Sequence, residues 1–271
     1  MTSPNARIIP ALTRVYAPPP SKIPNMYSIE LIGLVRKNIN LPSLLSKDTY
    51  MFITIFMPLS IITPMLLLSG HSNWPRVIIG AALFSVIGGG IADITMNVSF
   101  DRREGRLTFF LARPISSMEY MLGILLGGGA YTLVSAGIIL ALGDVILGFT
   151  FDVLDLLFFV GIVLFAWIVS SNLGFIIALY GPKDYRLAGT LSDFLLFSIM
   201  FIAPVFYSIK ILPMYLQNVS QILYTTDLSL IANHIINNSP LPNALLTIIV
   251  PVVFGTTLFF ISARKLKWKT T

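Results

Sequence analysis

The stretch Asp101-Arg102-Arg103-Glu104-Gly105-Arg106-Leu107 separates two long apolar runs, residues 77–98 and 120–147. Arg113 follows soon after, so four arginines fall within a short segment of the chain. Arginine is rare in the hydrocarbon core of a bilayer because its charge is costly to bury there. The stretch therefore predicts a loop on one side of a membrane. A loop this rich in charge is also well suited to contact a partner outside the bilayer.

The composition of the whole chain predicts a membrane protein. Apolar residues make up 55% of the 271 residues and charged residues only 11%, whereas soluble domains carry about 25% charged residues. A helix needs ~20 mostly apolar residues to cross the hydrocarbon core, and six runs fit: residues 50–68, 77–98, 120–147, 153–180, 187–206 and 244–261. Backbone groups in lipid must pair internally, and the alternation typical of barrel strands is absent. We predict an all-α integral membrane protein with six transmembrane helices.

The distribution of Lys and Arg predicts the orientation of these helices. With the N-terminus in the cytoplasm, the outer segments hold only Arg76 and Lys210. The positive-inside rule favours this arrangement, with both termini cytoplasmic. It assigns most basic residues to inner segments: Arg36, Lys37, Lys47, Arg102, Arg103, Arg106, Arg113, Lys183, Arg186, Arg264, Lys265, Lys267 and Lys269. The net charge of +6 then reflects topology and not nucleic-acid binding.

Two segments outside the six runs have patterns of their own. Residues 1–26 are rich in proline, lack an apolar core of signal-peptide length and predict a disordered cytoplasmic tail. Residues 28–41 place Leu31, Ile32, Val35 and Ile39 on one helical face, which predicts an amphipathic helix in the inner interface. That helix could serve as a membrane anchor or contact a partner. Residues 209–236, apolar but interrupted by Pro213, predict a short helical hairpin on the outer side.

The charged stretch itself predicts a short helix. Asp101 and Glu104 have the spacing of a capping box, and Leu107, Phe110 and Leu111 follow on one side of the helix. Pro114 ends that helix. A second capping box, Ser116-Ser117-Met118-Glu119, predicts the start of the next transmembrane helix. The alternative is a solvated loop with no docking role, but the apolar side favours a docking element.

Two acidic residues lie inside the predicted transmembrane helices. Asp93 and Asp193 each fall about one and a half turns from the predicted cytoplasmic end of a run. Intramembrane acids are rare and often functional, so they are candidates for a coupling or substrate site. The structural alternative, which their positions favour, is that each pairs with an inner arginine such as Arg186.

The charged stretch and its continuation resemble the cytoplasmic loop of type-2 ABC exporter permeases. That loop has the approximate pattern Glu-Arg-Glu-x-Gly-Thr-Leu, then Leu-Leu, then Thr-Pro-Val-Ser and Gly. Here Arg106 and Arg113 replace the two threonines. Residues 203–217, Ala-Pro-Val-Phe-Tyr followed by Leu-Pro-Met-Tyr-Leu-Gln, resemble the outer segment between the fifth and sixth helices of the same family. The matching loop residues are Arg102, Gly105, Leu107, Leu111, Pro114, Ser116 and Gly123.

The resemblance implies the permease subunit of an ATP-driven exporter, with residues 27–271 as one transmembrane domain. In that family the loop after the second helix is a coupling helix that docks on the ATPase. The resemblance assigns this role here to Arg102, Arg103, Glu104, Gly105, Arg106, Leu107, Phe110 and Leu111. The chain has no Gly-x-x-x-x-Gly-Lys-[Ser/Thr] motif. ATP and Mg²⁺ would therefore be bound by a separate ATPase subunit, and this chain would need no cofactor and have no catalytic site.

The resemblance further implies a second permease copy or a homologous permease, membrane lipids as surroundings, and the cell membrane as location. An ion-coupled secondary transporter that uses Asp93 and Asp193 is the main alternative. A membrane enzyme would need a cluster of His, Cys or carboxylates at one membrane face, and a scaffold without a substrate is a fourth possibility. The sequence does not identify the substrate.

Overall fold

The computed structural model describes residues 56, 60, 62–67, 74–106, 117–148, 152–237 and 243–265, and these residues form helices joined by short connections. The first long helix consists of α1 (Trp74–Gly88), a π-helical turn (Gly89–Asp93) and α2 (Ile94–Arg103). It is followed by α3 (Ser117–Leu147), α4 (Val153–Tyr180), α5 (Tyr185–Ile202), a 3-10 turn (Ile209–Ile211), α6 (Met214–Ser220), α7 (Tyr224–Asn237) and α8 (Ala244–Lys265).

Five helices within the described residues are long and apolar enough to cross a membrane. They are Trp74–Arg103, Met118–Val145, Val153–Tyr180, Tyr185–Ile202 and Leu245–Ser262. Each coincides with one of the last five predicted runs, and the prediction of an all-α membrane protein is confirmed. The first predicted run, 50–68, lies mostly outside the described residues, so a count of six remains a prediction. The tail at 1–26 and the amphipathic helix at 28–41 lie wholly outside them.

The centre of the bundle is the crossing of the π-helical turn with α4. A Cβ atom added to Gly90 would lie 2.5 Å from Cβ of Ser170, and one added to Gly174 would lie 2.5 Å from the carbonyl oxygen of Gly90. The two backbones thus touch, as small residues allow in membrane helices. Thr95 links them further, because its hydroxyl donates to the carbonyl oxygens of Ile91 at 2.6 Å and of Gly174 at 3.2 Å.

A second close approach joins α3 to α4 through Trp167. A Cβ atom on Gly128 or Gly129 would lie about 3 Å from the Trp167 indole ring, so only glycine leaves room for this ring. The indole nitrogen donates to the carbonyl oxygen of Leu125 at 3.1 Å, which satisfies the one polar atom that the buried ring carries. Gly128 and Gly129 therefore serve helix packing.

The predicted hairpin between α5 and α8 consists of α6 and α7. Tyr224, the first residue of α7, donates to or accepts from the Ser170 hydroxyl at 2.9 Å and stacks on Phe254 with ring centroids 5.1 Å apart. Phe254 lies ten residues into α8, and Ser170 lies ten residues before the end of α4. At about 1.5 Å per residue, each is ~15 Å from a helix end. The chain therefore descends to mid-bundle before α7 begins.

Candidate functional site

The charged residues of the predicted loop lie at one end of the bundle. This end, called the basic end below, is formed by Asp101–Arg106, the start of α3 and the connection between α4 and α5. The described part of the loop stops at Arg106, and α3 begins at Ser117. Leu107, Phe110 and Leu111, which carry the apolar side of the predicted docking helix, lie outside the described residues.

The capping-box interpretation of Asp101 and Glu104 is wrong. The helix that begins at Trp74 continues through Asp101 and ends at Arg103, with Glu104 as its C-cap. Gly105 then adopts a left-handed conformation with φ of +69°, which glycine tolerates and other residues rarely do. The sequence pattern does not reveal this helix end, because the apolar run stops at Val98, whereas a helix can extend through polar residues once it leaves the apolar core.

Asp101 is instead the buried centre of a polar network. Its side chain lies in the last turn of α2, and its carboxylate accepts a hydrogen bond from the Tyr120 hydroxyl at 3.0 Å. The Arg106 guanidinium lies 3.4 Å from the other carboxylate oxygen and also pairs with Glu104. Arg106 further lies over the Phe100 ring, 5.2 Å from its centroid. The residues on either side of the undescribed loop segment, Arg106 and Tyr120, are thereby fixed to one carboxylate.

Arg102 is also turned toward the protein. Its guanidinium donates to the carbonyl oxygen of Ala178 at 3.2 Å, in the last turn of α4. The last carbonyls of a helix lack intrahelical partners and carry partial negative charge, so a cation there stabilises the helix end. Arg102 and Arg106, which the resemblance assigned to the docking surface, are therefore both engaged within the bundle, and Arg102 links α2 to α4.

Among the described residues of the basic end, three other side chains supply the accessible positive charges. Arg103 is exposed and lies over the Tyr185 ring at 4.6 Å, while Arg186 lies over the same ring at 5.8 Å and donates to the Tyr185 hydroxyl at 3.2 Å. With Lys183 and Asp184 they line an open hollow of about 330 Å³. The Asp184 carboxylate caps α5 by accepting from the backbone nitrogen of Arg186 at 2.9 Å. The hollow therefore presents three cations against one acid that is already engaged.

The two intramembrane acids occupy different environments. Asp93 is half-buried in the π-helical turn, with a carboxylate oxygen close to Gly89, beside Thr132 and Trp167. Because the helix continues to Arg103, Asp93 is ~15 Å from its end, deeper than the sequence predicted. Asp193 is exposed in the middle of α5. Within the described residues no ion pair reaches Asp193, and Arg186 is turned to Tyr185, so the predicted pairing of these two is absent.

A buried acid that the sequence analysis did not select lies in α7. Asp227 is 6% exposed, and its Oδ2 atom has no hydrogen-bond partner. The burial of Asp227 could not be predicted from the sequence, because Asp227 follows the polar residues Thr225 and Thr226 in a segment predicted to lie on the outer side. Among the described residues, no group of three or more His, Cys, Asp or Glu could hold a metal ion.

Comparison with known proteins bears on what this arrangement does. A family model described as "ABC-2 type transporter" matches residues 48–227, which include the basic end and the helices that form it. A search of curated proteins gave no match.

Proposed function

The chain belongs to the ABC-2 type transporter family, and we propose that it exports a substrate with energy from a separate ATPase subunit. Membership identifies it as a permease component of an ABC transporter. The ion-coupled alternative is therefore not retained. The observation that carries the proposal is the family match, which spans the basic end and four of the five candidate spans in the described residues.

Docking of the ATPase at the basic end is supported by the charges there. Arg103, Lys183 and Arg186 are directed to the hollow and leave a positive surface for acidic residues of a partner. Leu107, Phe110 and Leu111 would enter an apolar groove of the ATPase. Buried anchors usually contribute most of the binding free energy, while rim charges mainly raise the association rate. The positive-inside rule supports placing this end in the cytoplasm, where ATP is available.

The polar network supports a mechanism by which docking could move the bundle. A displacement of the loop would act on Asp101 through Arg106 and on α3 through Tyr120. Arg102 would transmit the displacement to the end of α4 through its hydrogen bond to the carbonyl oxygen of Ala178. Since α2 continues into the π-helical turn and α1, the displacement would reach the crossing at Gly90 and Gly174. This route offers a physical path from ATP hydrolysis to helix rearrangement.

The remaining assignments follow from this proposal. Residues 27–271 form one permease domain after a cytoplasmic tail at 1–26, and the protein is a multi-pass protein of the cell membrane with both termini inside. ATP and Mg²⁺ are bound by the ATPase, because the sequence has no phosphate-binding loop. A second permease copy or a homologous permease completes the pathway, surrounded by lipid. Nucleic acid is not a partner.

Co-purification tests the docking surface. The permease is expressed with its cognate ATPase, tagged on the ATPase, and the double variant Phe110→Ala with Leu111→Ala is compared with wild type at matched membrane levels. We expect loss of most of the bound permease and of transport-coupled ATP turnover, since loss of an aromatic anchor alone typically costs about 1–3 kcal/mol.

A matched control truncates one leucine and one phenylalanine on a different surface. Leu157 and Phe158 are exposed near the other end of α4, so Leu157→Ala with Phe158→Ala should leave the complex intact. If the Phe110 and Leu111 variant retains the ATPase and its turnover, the loop is a solvated segment without a docking role. Export itself is tested in inverted vesicles, where ATP-dependent uptake of the substrate is expected.

A further inference from the structure

Asp193 occupies an exposed position in the middle of a candidate span. It is the ninth of the 18 residues of α5. The buried residues of α5, among them Ala188, Ser192 and Leu196, pack against the rest of the bundle. The outward face beside them carries Asp193 at its edge, together with three exposed aromatic side chains: Phe194, Phe197 and Phe201.

This position is incompatible with contact to lipid tails. A carboxylate at the centre of a bilayer costs at least ~2.5–3.5 kcal/mol, and such residues face a bundle interior or a water-filled cavity. The other outward residues of α5 are mainly apolar, so solvation of Asp193 by its own helix is weak. The face of α5 that carries Asp193 is therefore covered by something other than lipid.

The described residues supply no countercharge. None of the six apolar runs contains Lys or Arg, and within the described part of the chain no ion pair reaches Asp193. Arg186 lies two turns away on α5, ~10.5 Å along the axis, and its guanidinium is held at Tyr185. Among the described residues, Asp193 therefore has no cationic partner.

Resting on the proposed export function, we propose that the outward face of α5 lines the translocation pathway and that Asp193 binds the positive charge of a hydrophobic organic cation. The carboxylate would pair with the charge, and the rings of Phe194, Phe197 and Phe201 would contact the apolar body. Aromatic faces also attract cations, by about 0.5–2 kcal/mol according to how far the site is desolvated. A lone acid among aromatic side chains favours one diffuse charge over a small hydrated ion, which would need several oxygen ligands.

The test uses two ions that differ in the sign of their charge and have nearly the same size and apolar surface. Tetraphenylphosphonium and tetraphenylborate are titrated into full-length permease with its ATPase in nanodiscs, and binding to empty nanodiscs is subtracted. We expect Asp193→Asn to weaken tetraphenylphosphonium binding at least about tenfold, equivalent to about 1.4 kcal/mol, and to leave tetraphenylborate unchanged. Asp193→Glu should retain binding of the cation.

Two controls separate a specific site from general attraction and from misfolding. Asp144 is exposed at the end of α3, so Asp144→Asn should bind the cation as wild type does. In the wild-type protein, dicyclohexylcarbodiimide, which modifies carboxyl groups in apolar surroundings, should label Asp193, and tetraphenylphosphonium should prevent the labelling. This measurement stands even if Asp193→Asn does not fold.

The outcomes distinguish this proposal from the export proposal. If the cation binds Asp193→Asn as tightly as wild type, or does not protect Asp193 from labelling, the cation site is wrong. A protonated Asp193 buried against a second permease would give these results. The carbodiimide would then label Asp193, and tetraphenylphosphonium would not prevent the labelling. ATP-dependent transport and ATPase co-purification could still succeed in that case. Conversely, cation binding that depends on Asp193 without any ATPase association would overturn only the export proposal.

Discussion

The Tyr120 hydroxyl donates a hydrogen bond of 3.0 Å to the buried carboxylate of Asp101. The two residues are 19 positions apart in the sequence and belong to the last turn of α2 and the first turns of α3. The contact therefore holds together the two helices that bracket the loop proposed to dock the ATPase. Arg106 reaches the same carboxylate from the loop side, so one buried acid determines where the loop leaves and re-enters the bundle.

Tyr120→Phe should destabilise the permease. The substitution removes the hydroxyl and leaves one oxygen of a buried carboxylate without its donor, which typically costs about 1–3 kcal/mol. Thermal unfolding in detergent measures the loss. Tyr215→Phe is the matched control, since Tyr215 is 70% exposed on α6. Equal melting temperatures for the two variants would show that the Asp101 contact contributes nothing to stability.

Arg103 and Arg106 should differ in what they affect. Arg103→Gln removes an accessible charge, so it should slow ATPase association severalfold at low salt and have little effect near 1 M salt, where the screening length is about 3 Å. Arg106→Gln should instead lower the melting temperature, because the Asp101 carboxylate loses its ion-pair partner. Arg76→Gln, at the far end of the same long helix, should leave association unchanged. An association rate insensitive to Arg103 at every salt concentration would contradict the proposed docking surface.

Gly174→Leu should prevent normal assembly of the bundle. Any Cβ there would lie 2.5 Å from the carbonyl oxygen of Gly90 and 2.9 Å from that of Ile91. Overpacking costs typically 1–3 kcal/mol or more, and backbone atoms cannot rotate out of the way. Gly161→Leu provides the comparison, because no atom lies within 4 Å of a Cβ at that position on the same helix. Monodispersity after size-exclusion chromatography and melting temperature report the effect; a well-behaved Gly174→Leu protein would rule out this crossing.

Much of the molecule could be predicted from patterns along the chain. The apolar runs beginning at residues 77, 120, 153, 187 and 244 correspond to the five candidate spans in the described residues, because a bilayer requires length and apolarity that composition reveals directly. The family was also recognisable from the stretch around Gly105 and Pro114. The wrong prediction concerned a single helix end. Asp101 has the spacing of a helix N-cap, yet it lies near the C-terminus of a helix that extends beyond the apolar run.

The amino-acid sequence by itself determined the helical membrane fold and the position of the charged stretch between two apolar runs, because these depend on composition and spacing. Only the tertiary structure decided which charges are available. Arg102 and Arg106 lie within three positions of Arg103 in the sequence, but the first meets the end of α4 and the second meets Asp101. Likewise, only the packing of α5 shows that Asp193 faces outward. These distinctions arise from contacts between residues far apart in the chain.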